Sequence, residues 1–296
     1  MKPHQMVYRI TAALLVSGIL FTTACKKEAS TASEDPLLVA EAITDEIQLN
    51  ETFEDVFDNA AGIDLATAGD EIGIYGGTGF GLFPSLATPG QPSVRCFTVS
   101  VTPRERGVFP KKVVLDFGTG CEINSITRKG KIITVYSGPL HVPGSKAVTE
   151  FDGYQINDLK IAGRYVVQNT TEPGSNQRRF TRTVESKVTQ MSTGNWRTWS
   201  GVSVMKQIEG NGTPLWPVDD VYQFTGSRKG ENSKGRKWAS ETKEPLIKAF
   251  VCRWISKGIL LVRVNDTVAT LDFGNGTCND EATITVNGVS KVIKLR

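Results

Sequence analysis

The sequence predicts a mainly β protein, a large twisted antiparallel sheet or sandwich with one N-terminal acidic amphipathic helix. Three observations lead there. Two strand–turn–strand segments are each bracketed by cysteines, and apolar and polar residues alternate over long stretches between them. Charge also changes sign abruptly along the chain. From Glu28 to Val94 there are thirteen Asp or Glu and no Lys or Arg; from Arg95 to Arg296 there are thirty Lys or Arg against eighteen acids. The formal net charge of +3 conceals this division. An acidic element followed by a basic body either docks on it or leaves two separately solvated faces.

Residues 1–24, MKPHQMVYRITAALLVSGILFTTA, begin with Lys2 and Arg9 and continue into an apolar run from Ile10 to Phe21. That run is short for a membrane span and ends in small residues, the pattern of a secretory signal peptide. Thr22, Thr23 and Ala24 precede Cys25, which looks like a bacterial lipoprotein cleavage site, although Thr22 stands where such signals favour Leu. The resemblance implies that the Cys25 thiol is acylated and becomes the mature N terminus, a lipid anchor in the outer membrane facing the periplasm or the cell surface. Residues 25–35, polar and small, read as a flexible tether.

Residues 36–91 hold the helix and a Gly-rich connector. Asp35-Pro36 is a cap and first-turn pair. Ile43, Ile47, Phe53, Val56, Phe57 and Ala60 then fall near one helical stripe among seven acids from Glu41 to Asp58, with a break expected near Leu49-Asn50. The stripe needs a cover, and the basic β body is the nearest candidate. GIYGGTGFG, residues 73–81, lacks the GK[ST] ending of a phosphate loop and reads as a connector.

Residues 92–296 form the β domain. LDFGTGC closes on Cys121 and LDFGNGTC on Cys278, and each lies at the end of a similar phrase. Twenty-four residues separate Cys96 from Cys121, and 25 separate Cys252 from Cys278. A hairpin brings its outer ends together, so this spacing favours Cys96–Cys121 and Cys252–Cys278 among the three pairings open to four cysteines. The segment after each phrase, SITRKGKIITVY in the first and ATITVNGVSKVIKL in the second, reads as two short β runs around a turn; in the second the turn is Asn287-Gly288. The simplest reading is a duplicated disulfide-clasped module at 95–137 and 251–295. Phe97, Val99 and Val101 share one face, as do Val113, Leu115 and Phe117 on the return strand. Between the modules, Phe180, Val184 and Val188 share a face opposite Arg179, Thr181, Thr183, Glu185 and Lys187. Further strands are expected near 156–169, 195–208, 220–228 and 236–243.

RKGKIITVYSG, EFDGYQINDLKIAG, DDVYQFTGSRKG, PLIKAFVCRWISKG and LDFGNGTCNDEATITVNG together resemble a family of uncharacterised cell-envelope lipoproteins of Bacteroidota. The resemblance covers most of residues 92–295 and, more loosely, the helix. It implies location and architecture, and carries over no catalytic residue.

Chemistry is sparse. His141, in a turn, is the one histidine beyond the leader, so a Ser-His-Asp or Cys-His site would have to be built on it. No CxxC pair is present for zinc. Asp116 and Asp272 occupy matching places where turn chemistry accounts for them. Asp272, Asn275 and Asp280 lack the spacing of a calcium loop. Asp219-Asp220 is the one acidic pair that suits a hydrolase. Trp196, Trp199, Trp216, Trp238 and Trp254 lie among many cations. Either they fill a core or they bind an acidic glycan. Alternation at 196–199 places at least one of Trp196 and Trp199 on the wet face, which makes these two the candidate ligand contacts. The expectation is therefore a non-enzymatic structural or ligand-binding envelope protein. It carries no catalytic, cofactor or metal residue and has no nucleic-acid partner. The alternatives are an amphiphile carrier with a cavity between helix and curved sheet, and a glycan hydrolase using Asp219 or Asp220.

Overall fold

A computed structural model describes residues 36–61, 96–105, 107–123, 125–212 and 219–295, with helix side chains over 39–57. One helix, α1 (Pro36–Ala61), precedes fourteen strands. These are β1 (Thr98–Thr102), β2 (Lys111–Asp116), β3 (Cys121–Ile123), β4 (Ile126–Tyr136), β5 (Lys146–Ile156), β6 (Leu159–Asn169) and β7 (Arg179–Gln190), then β8 (Trp196–Glu209), β9 (Val221–Asn232), β10 (Lys237–Ala249), β11 (Lys257–Val264), β12 (Thr267–Asn275), β13 (Glu281–Val286) and β14 (Val289–Lys294). All belong to one antiparallel sheet in chain order, with only the short β3 set to the side against β4. There is one sheet, not two packed face to face. Helix α1 runs unbroken through Leu49-Asn50, where the sequence predicts a break. Leu49 is buried in the core, so tertiary packing holds the helix through that point.

The sheet coils around α1. Of helix residues 39–57, only Thr44 is exposed. Backbone of α1 approaches β10 to β13, whereas its side chains reach β4 to β10. The core is therefore a single layer, with α1 as its axis and one face of every long strand as its wall. Alternation supplies that wall: Val113 and Leu115 from β2, Val184 and Val188 from β7, Leu260, Val262 and Val264 from β11, and Ala269, Leu271 and Phe273 from β12. Phe53 sits at the centre, its ring 5.5 Å from Tyr165 and 5.4 Å from Trp199, with Phe151 edge-on at 6.4 Å.

Cys96 is bonded to Cys121 and Cys252 to Cys278, with Cα atoms 5.2 Å and 5.8 Å apart. Strand direction alternates along the sheet, so the first bridge lies at the rim of the β5–β6, β7–β8 and β9–β10 turns and the second at the opposite rim. In both LDFG phrases the aspartate caps its own turn. Asp116 Oδ1 accepts from Gly118 N at 2.9 Å, and Asp272 Oδ1 accepts from Gly274 N at 2.8 Å.

After those phrases the two segments differ. Asn287-Gly288, both at positive φ, form the expected hairpin turn between β13 and β14. RKGK is instead the interior of β4, not a turn, and only a bulge at Gly130 interrupts its pairing. Gly130 has φ 71°, and a Cβ there would come within 2.4 Å of the Gly153 carbonyl oxygen. Glycine thus bends the ladder here without ending it. The same bulge breaks the alternation of β5, a strand that its own residue pattern does not announce.

Each bridge closes a loop of comparable length, with sequence separations of 25 and 26. Replacing either pair by alanines is expected to lower unfolding free energy by roughly 3–4 kcal/mol, checked by the urea midpoint under non-reducing conditions.

Candidate functional site

The most organised chemistry in the molecule is the contact between α1 and the inner wall. Pairing register decides which cations face inward. In β7 the inward set that carries Phe180, Val184 and Val188 also carries Arg182 and Ser186, and both are buried. Arg228 of β9 pairs with Gly201 of β8, a position with no side chain, which leaves the guanidinium room to turn towards the helix.

Five helix carboxylates meet these cations in order. At the N-terminal end Glu41 bonds Lys234 Nζ at 2.6 Å and also Arg236. Asp45 pairs with Arg197, and its second oxygen accepts from Asn232 Nδ2 at 3.2 Å. Glu46 is the deepest: Oε2 accepts from the indole nitrogens of Trp199 at 2.8 Å and Trp238 at 3.0 Å, and Oε1 accepts from Ser240 Oγ at 2.7 Å. Arg228 lies 3.9 Å from Glu46 and stacks over the Trp199 ring at 4.9 Å. Two turns on, Glu54 pairs with Arg182 at 2.7 Å, and Asp55 pairs with Arg128 and accepts from the Tyr154 hydroxyl at 3.4 Å. Arg182 also lies over the rings of Phe57 and Phe224.

Glycine again makes room. A Cβ at Gly230 would lie 2.1 Å from the Trp238 ring, so only glycine in β9 lets that indole lie flat and aim Nε1 at Glu46. With three donors satisfied on one carboxylate, the buried charge of Glu46 has replaced its hydration shell. Burial would push Glu54 up, yet Arg182, with Lys248 and Arg228 behind it, holds that carboxyl below the ordinary value of 4.5. Hydrogen bonds from Lys234 and Arg236 lower Glu41 likewise. Burial, aided by Asp55, raises the Tyr154 phenol, which stays protonated as a donor.

Little space is left between helix and wall. The cavity there, bordered by Phe53, Glu54, Tyr165, Arg182 and Trp199, measures about 10 Å³, which is about one water or less. The carrier reading needs an apolar cavity between helix and sheet, and this one has no room for an amphiphile.

The remaining sequence candidates fall elsewhere. Trp199 is 2% exposed and bound to Glu46, so it belongs to the interior. Trp196 is the one of the pair on the outer face, half-buried, with Lys187 Nζ 4.8 Å above its ring. Asp220 is 1% exposed; Gln207 Nε2 and the Tyr222 hydroxyl each donate to it at 2.6 Å. Those bonds make it a brace for the start of β9, its carboxyl raised by burial, rather than a group in an open cleft. His141 is exposed in the β4–β5 loop. Of the calcium candidates, Asp272 caps its turn, Asn275 accepts from Thr277, and Asp280 pairs with Lys294. Among the described residues no cluster of three His, Cys, Asp or Glu is positioned to hold a metal. Cys25, the stretch 73–81 and Trp216 lie outside the described residues.

No protein-family model matches the chain, and no curated protein or solved structure is significantly similar to it.

Because Glu41 and Glu54 titrate below their unfolded value of 4.5, their contribution to stability is complete above that value and is lost as pH falls through the lower, folded value. Thermal midpoints measured from pH 7 to pH 3 are expected to fall most steeply beneath pH 4.5. Glu54→Gln is expected to lower the neutral-pH stability by roughly 3–5 kcal/mol, because it takes the compensating charge away from the buried Arg182 guanidinium, and to flatten the acid limb of the profile.

Proposed function

We propose that this chain is a lipid-anchored protein of the bacterial cell envelope with a non-enzymatic structural or ligand-binding role. The observation that carries this reading is the order of its parts. A signal-like leader ends at Cys25, and the body after it keeps its four other cysteines in two disulfides. Disulfides persist in exported proteins and seldom in reducing compartments. Acylation at Cys25 would place the tether directly ahead of α1.

A structural role is favoured by how fully the inner chemistry is occupied. The cations and carboxylates of the interior hold one another, and the cavity between them is about 10 Å³. For ligand binding, Trp196 with Lys187 over its ring supports an acidic glycan as the partner.

Two measurements test the reading. Expressed in a bacterial host fed labelled palmitate, the chain is expected to incorporate label and sediment with membranes, and Cys25→Ser to lose both; labelling that survives Cys25→Ser would defeat the anchor. On an immobilised acidic glycan, Trp196→Ala is expected to elute several-fold earlier than the parent, and equal retention would remove the glycan from the proposal.

A further inference from the structure

Helix α1 is held differently from every other element. Among the described residues no backbone hydrogen bond joins it to the sheet, whereas the strands are laddered to one another throughout. Both disulfides lie within the sheet. The helix is bound by side chains alone: an apolar stripe and three tiers of charge, at Glu41, at Asp45 with Glu46, and at Glu54 with Asp55. Covalent and backbone continuity of the wall thus does not pass through the element that fills it. That is how a groove holds a bound amphipathic helix, with apolar anchors for affinity and charges for register.

An empty groove is not a stable alternative. Departure of α1 would take the helix carboxylates away from Arg128, Arg182 and Arg228 on a concave wall and expose the apolar inner faces of the strands around them. Any exchange must therefore replace the helix with one of the same charge order. The partner that satisfies all three tiers residue for residue is α1 of a second copy of this chain. Thirty-four residues, 62–95, separate the described end of α1 from Cys96. A segment of that length reaches at most about 120 Å, enough to bridge two neighbouring bodies.

We infer that the basic inner groove of the sheet is a helix-binding site that accepts the acidic helix of a second copy, giving a reciprocally exchanged dimer with the same contacts as the monomer. Because intramolecular and exchanged forms share those contacts, protein concentration sets their ratio. Were the chain anchored as proposed above, copies confined side by side would favour the exchanged form.

The test uses the full chain with Cys25→Ser, so that the outcome does not depend on acylation. Helix charges are reversed in one variant (Glu54→Arg, Asp55→Arg) and groove charges in another (Arg128→Glu, Arg182→Glu). Each is mismatched within its own chain, but both helices match when exchanged. Refolded together, they are expected to give a particle of twice the chain mass by light scattering, with a thermal midpoint near that of the parent and well above either variant alone. Should neither variant accumulate, the parent decides the matter. Chains labelled with a donor at Thr44→Cys are mixed with chains labelled with an acceptor at Lys237→Cys, the former on the exposed helix face and the latter in the turn region beside Glu41. Energy transfer that grows during incubation just below the melting midpoint, and persists on cooling, supports exchange. Transfer that stays at the level of mixed, unheated chains overturns it, as does a co-refolded pair that yields only monomer.

Discussion

Everything in this structure depends on one acidic helix meeting one basic wall. Charge separation along a chain is common and usually means nothing more than solvated faces. Here it is converted into pairings of five helix carboxylates, four with arginines of the strands and one, Glu41, with Lys234 and Arg236 in the β9–β10 turn. Buried ion pairs seldom stabilise a fold relative to well-packed apolar residues, since desolvation offsets most of the attraction. What they supply is register. An amphipathic helix against a smooth apolar wall can slide or rotate by a residue at little cost. A one-residue shift here would move Glu46 away from two indoles and a serine and Glu54 away from Arg182. The wall selects one rotation and one depth for α1.

The same constraint explains features of the sheet that would otherwise look unrelated. A strand sequence this long tends to twist and splay, or to fold over into two packed layers. With α1 as a core, a single layer can close around its own hydrophobic contents, and the second layer becomes unnecessary. Coiling that tightly requires local irregularity. Facing glycines at Gly130 and Gly153 bend β4 against β5, and shifts in pairing recur between β5 and β6 and between β10 and β11. The first disulfide brackets the β1–β2 hairpin at one edge of this curved sheet, and the second brackets β11–β12, two strands in from the other edge and on the opposite rim. At the far edge, β14 carries Lys291 on the inward-facing row opposite Ile284, and Lys294 is tied to Asp280 and Glu281. Charged residues on an edge discourage pairing with a foreign strand.

How much of this is legible in sequence depends on the range of the interactions. Disulfide partners, the acidic helix and the alternating strands are local signals, and cysteine spacing, cap chemistry and period-two patterning expose them. Arg182 marks where such signals stop. It shares a face with Phe180, Val184 and Val188, and parity alone places it inward; hydrophobicity singles out the three apolar residues and passes over the arginine. Trp199 is similar, since alternation separates it from Trp196 but does not say which of the two faces water until neighbouring strands fix the sheet's curvature. RKGK has the composition of a turn because Lys and Gly commonly make one. In β4 the bulge at Gly130 needs its partner Gly153, 23 positions later, and no local pattern announces that pairing. The five carboxylates are countable in the sequence, yet their partners lie 73 to 195 residues away, in an order that only the strand register defines.

Occupancy of the interior then constrains what the protein can do there. A concave wall bearing several arginines, two indoles and exposed apolar surface would be an effective receptor for anionic amphiphiles or acidic peptides. In this chain that receptor already holds its ligand, and the ligand is part of the same polypeptide. Effective concentration strongly favours the resident helix over a free competitor that merely resembles it. Only an occupant with the same charge order and the same apolar stripe competes on equal terms. Small amphiphiles, which offer one charged group and no second or third tier, would satisfy one arginine and leave the other tiers unmatched. The cavity between Phe53, Glu54 and Arg182, about 10 Å³, leaves no room for such a molecule beside the resident helix.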